Sequence, residues 1–193
     1  MALVSLAVVG KRNEPLYIRE YTSESIVYPA GDGLAEIGLT LEGLMSIDGD
    51  DMNVAPGTES CSLRHQFILH SALDRLEELT AGNRWRAPGS VGSDAMWVGM
   101  LCPVDELKVY GYLTTTKIKF LVAVEDIFPP DQKQQLHARE NEIKSLFANI
   151  HALYVEYMLN PFTNIESSIE SRRFEEGVKS FVDAFNSSGL SVA

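Results

Sequence analysis

The chain is 193 residues long, 45% hydrophobic, and carries a formal net charge of −11 at pH 7. That length supports one well-buried core and not two, so a single domain over residues 1–193 is expected. The acidity, with Lys and Arg scattered along the chain, sets aside nucleic acid and anionic membrane as default partners because both require a basic face.

Strand one is read over Leu3 to Val9, a turn over Gly10 to Glu14, and strand two over Pro15 to Arg19, where proline at the first position removes a ladder donor only at the end. The apolar start could be taken for a signal peptide, but no basic segment precedes it and Gly10-Lys11-Arg12 follows where small residues would be wanted. From Tyr21 to Cys61 there are eight acidic residues, six glycines and no Lys or Arg. This stretch reads as a long acidic loop, either functional or disordered. Helix one is expected over Ser62 to Thr80, because Leu69, Ala72, Leu73, Leu76 and Leu79 recur at helical spacing and Gly82 provides a stop. A second loop, residues 82–94, carries Trp85 between Arg84 and Arg86.

Strand three is read over Ala95 to Leu101, leading through Pro103 into the central hairpin of Lys108 to Asp126. There Val109, Tyr110, Tyr112 and Leu113 form one β-prone run, three threonines bend the chain, and Ile118, Phe120, Leu121, Val122 and Val124 form the second. Pro129 and Pro130 end the sheet. A long helix over Lys133 to Leu159 carries Ile143, Leu146, Phe147, Ile150, Leu153, Tyr154, Tyr157 and Met158 as one apolar stripe, and Asn160-Pro161 stops it. A last helix over Ser171 to Phe185 places Phe174, Val178, Phe181, Val182 and Phe185 together. The fold class is therefore α+β, a five-stranded antiparallel sheet flanked by helices, in the order β-β-α-β-β-β-α-α.

The chain offers little to catalysis. His65 and His70 are five apart, which separates them by about 140° on a helix and spoils a zinc pair. Cys61 and Cys102 lack zinc spacing and are too few for a secreted disulfide framework, which points to a reducing, cytoplasmic setting. Gly31-Asp32-Gly33 lacks the third glycine of a dinucleotide fingerprint. Asp48, Asp50 and Glu59 fit a calcium loop at three positions, but Met52 and Asn53 stand where a ligand and a glycine belong. No Walker or Gly-x-Ser-x-Gly sequence occurs. The expectation is no enzyme, no metal and no cofactor. Surfaces remain. Asp74 sits mid-helix, with a plainer reading as a solvated charge paired to Arg75; Asn160-Pro161-Phe162 reads as a helix stop plus a core phenylalanine, or as a short docking tripeptide.

Five segments carry a family resemblance: Leu101-Cys102-Pro103, Lys108 to Thr114, Lys117 to Phe120, Asn141 to Phe147, and Asn160-Pro161-Phe162, with His70 to Asp74 in helix one. In this order they resemble the sedlin family of trafficking protein particle (TRAPP) complex subunits, which includes the subunit 2-like proteins. The match covers about Met1 to Tyr21, Leu63 to Ala81 and Met96 to Phe185; the stretch 21–61 and the Trp85 loop look like insertions. The resemblance implies a longin-like (profilin-like) fold and a non-catalytic adaptor within a tethering complex that acts on Rab-type GTPases in endoplasmic reticulum to Golgi and intra-Golgi transport. It implies other TRAPP subunits as partners, the GTPase only through the complex, and a peripheral place at Golgi and endoplasmic reticulum. Asp74 matches a family position associated with partner binding, which makes His70, Asp74, Arg75 and Glu78, together with Asn160, Pro161 and Phe162, the expected contact residues. The same fold would also serve a regulatory domain of a SNARE or a small chain of a vesicle-coat adaptor; the apolar heptads of a SNARE are not in this sequence.

Overall fold

The computed structural model describes residues 2–21, 61–81, 95–125, 133–164 and 167–189. The expectations for residues 22–60, for the Trp85 loop and for the break at Pro129-Pro130 lie outside them.

The chain runs β1 (Ala2–Val9), β2 (Pro15–Glu20), α1 (Leu63–Thr80), β3 (Trp97–Val104), β4 (Leu107–Leu113), β5 (Lys119–Glu125), α2 (Lys133–Met158) and α3 (Arg172–Gly189). All five strands join one antiparallel sheet in the order β2-β1-β5-β4-β3. This is the expected α+β, longin-like order. Two elements differ from the sequence reading by more than one residue at an end. Strand β3 begins at Trp97 and continues past Leu101 through Pro103 to Val104, which an edge strand tolerates because its outer side has no ladder bond for proline to remove. Helix α3 runs on to Gly189. Asn186 explains part of that extension: its Oδ1 accepts the Leu3 amide at 2.7 Å, which ties α3 to β1.

The turns are set by local chemistry. In the first hairpin Asn13 takes φ +66° and the Gly10 amide donates to the Glu14 carbonyl at 2.8 Å. In the central hairpin Thr114 Oγ1 accepts the Ile118 amide at 2.9 Å while Lys117 takes φ +67°. The polar bend that the threonines suggested is thus closed by the first of them.

Alternation along the strands sorts side chains onto two faces. Leu6, Val8, Tyr112, Phe120 and Val122 meet Ile143, Phe147 and Ile150 of α2 and Phe174, Val178 and Val182 of α3. On the other face Ala7, Val9, Val109, Leu121 and Ala123 meet Ile68, Leu69, Ala72, Leu73 and Leu76 of α1. A Cβ on Gly111 would come within 3.0 Å of Leu76 and 2.9 Å of Leu101. Glycine at that point is what lets α1 settle onto the sheet.

Candidate functional site

Helix α1 is organised by one buried line, Leu69, Leu73 and Leu76. At about 100° per residue, Leu63, Phe67, His70 and Asp74 fall within about 60° of one another on a flank turned away from that line. Leu63 is 82% and Phe67 74% exposed, an unusual display of apolar surface on a short helix. His70 is exposed; its position lies about 90° from the buried line, too far round to reach the sheet.

The charges on α1 are almost all neutralised locally. Arg75 donates to Glu78 at 2.5 Å and Arg64 to Asp105 at 2.9 Å. Glu77 accepts from Lys119 Nζ at 2.8 Å and from Asn13 Nδ2 at 3.0 Å. Those bonds, Lys119 first, hold the Glu77 carboxyl below the usual carboxylate range. Arg75 reaches Glu78, so of the plainer reading of Asp74 the solvated charge is seen and the pair with Arg75 is not. Asp74 is exposed and makes no hydrogen bond or ion pair with the described residues.

At the start of α1, Glu20 accepts the Ser62 amide at 2.7 Å and stands 2.9 Å from His65 Nδ1. Cys61 is buried beside this group, and burial, with Glu20 adding to it, pushes its thiol up to about 11. A protonated thiol is a poor nucleophile, so this arrangement anchors the helix and does not prepare a reaction. No local pattern marks the approach of Glu20 to His65, since residues 22–60 lie between them in the chain. Among the described residues no three His, Cys, Asp or Glu side chains group closely enough to hold a metal ion. No helix among them is long and apolar enough to cross a membrane.

Between α1 and the β1–β2 hairpin lies a cleft of about 160 Å³. Its floor is aliphatic, from Ala7, Val9, Leu69, Leu73 and Leu121, and His70, Gln66 and Asn13 stand at its rim. Asn13, which lines it, also accepts from Lys119 Nζ and donates to Glu77, so the hairpin is tied to α1 and β5 beside it.

The second sequence-derived group lies on the other side of the sheet, after α2. Asn160 Oδ1 accepts the Phe162 amide at 3.1 Å and the Asn160 carbonyl accepts the Thr163 amide at 3.0 Å, a turn of the kind that asparagine before proline favours. Phe162 is 93% exposed, which overturns its reading as a core phenylalanine. The turn borders a groove of about 580 Å³ between the end of α2 and the start of α3, where Arg173 meets Glu156 at 2.5 Å. The structure therefore brings His70 and Asp74 together with Leu63 and Phe67, which sequence reasoning missed; their spacing from Asp74, at 11 and 7 residues, was the available signal. It leaves the Asn160–Phe162 turn apart from them.

Residues 8–184 match the family described as sedlin. The chain is 28% identical over 179 residues to the trafficking protein particle complex subunit 2-like protein of Mus musculus, covering 93% of this chain and 96% of the mouse protein. The protein of the same name from Dictyostelium discoideum is 28% identical over 180 residues, with the same coverage of 93% and 96%. The transport protein particle 20 kDa subunit of Schizosaccharomyces pombe is 25% identical over 118 residues, 60% of this chain and 70% of the yeast protein.

Proposed function

This chain belongs to the sedlin family, and from that premise we propose that it is a non-catalytic subunit of a TRAPP tethering complex in vesicle transport between endoplasmic reticulum and Golgi and within the Golgi. The observation that carries this reading is the extent of the likeness, 93% of this chain against 96% of the mouse subunit 2-like protein. The physical character of the surface supports it: exposed apolar side chains, Leu63 and Phe67, and an exposed carboxylate, Asp74, on α1. The whole chain, residues 1–193, then forms one longin-like domain with residues 21–61 and 82–94 as insertions.

The mechanism is contact. The flank of α1 centred on Asp74, with His70, Arg75 and Glu78 around it, meets another subunit of the complex, either a small core subunit or the large subunit specific to one form of it. Burying a carboxylate without a partner costs several kcal/mol, so that subunit places a cation or strong donor opposite Asp74. Leu63 and Phe67 supply the apolar area that such an interface needs at its centre. The Asn160-Pro161-Phe162 turn provides a second, smaller contact on the opposite side of the sheet. The Rab-type GTPase is reached only through the assembled complex, and the protein is cytoplasmic, held peripherally at Golgi and endoplasmic reticulum by that assembly.

Purification of the tagged chain from its own cells, followed by mass spectrometry, tests this directly. Other TRAPP subunits should come with it in one large particle of fixed stoichiometry. Recovery of a lone chain, or of SNAREs or coat chains in place of TRAPP subunits, would remove the reading.

A further inference from the structure

We infer that the Asn160-Pro161-Phe162 turn is a preformed ligand for a protein outside the complex, a module with one apolar pocket that takes a phenylalanine ring carried on a tight turn. Only the consequence rests on the subunit reading: the turn and the α1 flank then hold two partners at once.

The turn is built from its own residues and tied to the end of α2. The Leu159 amide donates to the Val155 carbonyl at 3.0 Å and the Asn160 amide to the Tyr157 carbonyl at 3.3 Å. Asn160 Oδ1 accepts the Phe162 amide at 3.1 Å, and the Asn160 carbonyl accepts the Thr163 amide at 3.0 Å. Thr163 Oγ1 then donates back to the Tyr157 carbonyl at 3.2 Å, and Pro161 fixes its own φ. The ring is therefore held on both sides before any partner arrives, which lowers the ordering cost of binding. Because the amides of Phe162 and Thr163 are already paired, enclosing the turn in an apolar pocket strands neither of them.

Nothing in the described fold uses this ring. Phe162 is 93% exposed and belongs to neither core cluster, whereas Phe174 at the start of α3 is 1% exposed. Leu159, Asn160 and Pro161 are exposed with it, so four consecutive residues stand free with the ring as the last. Ending α2 requires only the asparagine and the proline; a phenylalanine after them adds nothing to the stop.

Size and charge select the occupant. One ring with Leu159 behind it is far smaller than the broad patch that a stable subunit interface buries, and it suits a single anchor entering a pocket. An anionic bilayer is disfavoured by the net charge of −11 and by Glu156 and Glu170, both exposed in the groove that Phe162 borders. The turn follows α2, on the side of the sheet away from α1 with Leu63, Phe67 and Asp74, so a partner on one does not block the other.

Calorimetric titration of the full chain with an isolated EH domain, the module class that binds Asn-Pro-Phe turns, tests this. One-to-one binding is expected, weakened at least about tenfold by Phe162→Ala, with the variant's thermal midpoint unchanged because the ring is exposed. The full chain should also bind at least about fivefold tighter than a free peptide of residues 157–164, in which α2 no longer holds the turn. Absence of binding, or equal binding by Phe162→Ala, overturns the inference and leaves the subunit reading standing, since the titration contains no other subunit. Equal affinity of chain and peptide overturns the preformed turn. Binding to phosphatidylcholine vesicles that Phe162→Ala abolishes, with none to the EH domain, would give the ring to a membrane instead.

Discussion

The two faces of the sheet are built differently. Toward α2 and α3 the core is aromatic: Tyr112 stacks on Phe147 with centroids 5.4 Å apart, and Phe120 meets Tyr154 edge-on at 5.7 Å. Toward α1 it is thin and aliphatic, with Ala7, Ala72, Ala123 and Gly111 between the helix and the sheet. Large rings fill their space and fix a fold. Small side chains bring a helix close but leave gaps at its margins, and here the gap is the cleft beside Asp74. The larger buried rings thus lie on the α2–α3 side, and the exposed apolar side chains Leu63 and Phe67 on the α1 side.

Core truncations should expose the difference most strongly. Phe147→Ala should cost about 3–5 kcal/mol in urea unfolding, because its stacked neighbours cannot collapse into the void. Leu73→Ala on the α1 side should cost about 2–3 kcal/mol, since its side chain already borders open space. Equal losses would mean that the α1 side is packed as tightly as the aromatic one.

Surface changes should reverse the ranking. Leu63→Ser combined with Phe67→Ser should leave unfolding within about 0.5 kcal/mol of wild type per site, yet weaken binding of the partner subunit about a hundredfold, the effect of losing a central apolar anchor. Phe162→Ala, on the opposite side, should weaken it less than about tenfold, because the turn's own hydrogen bonds keep its polar groups occupied and leave only the ring to contribute. Calorimetric titration compares the two. A larger effect at Phe162 would move the principal contact to the other side of the sheet.

The smallest effects concern pH, and they too divide by face. Burial among Tyr112 and Phe120 lowers the pKa of His151 from its ordinary 6.5. The unfolded chain therefore takes up the proton first as pH falls; the stability linked to neutral His151 is complete above about 6.5 and is lost as pH drops through the lower folded value. Glu77 lies on the α1 side, and its folded pKa is also depressed, from 4.5, by Lys119 and Asn13. Its contribution is complete above about 4.5 and disappears only in stronger acid. In a stability profile taken from pH 7 into strong acid, His151→Gln should flatten the part below about 6.5 and Lys119→Met the part below about 4.5.

The sequence was legible where periodicity decides. The stripe from Ile143 to Met158, the alternation in β4 and β5 and the line of Leu69, Leu73 and Leu76 each name an element and its inner face, because an apolar face must be covered. The strand that kept a proline was cut short, since propensity alone does not reveal that β3 is an edge. The candidate site was legible only in part. Asp74 could be singled out as a charge without a local role, but its lack of a partner depends on Arg75 choosing Glu78 over it. The cleft depends on Lys119 meeting Glu77 across 42 residues of sequence and on the left-handed turn at Asn13, neither of which leaves a local pattern. Phe162 could not be placed because a ring after proline folds inward or outward according to what the next helix has left uncovered.

On the proposed function, the flank of α1 holds this chain in a TRAPP complex through Asp74. Asp74→Tyr removes the carboxylate and adds bulk at an exposed position where nothing in the fold depends on it. Tagged wild-type and Asp74→Tyr chains, expressed at equal levels in the protein's own cells, should be compared for the amount of other TRAPP subunits each recovers. At least a tenfold loss of those subunits is expected, with an unchanged thermal midpoint of the isolated variant. Undiminished recovery of the intact complex would contradict it and take Asp74 out of the interface.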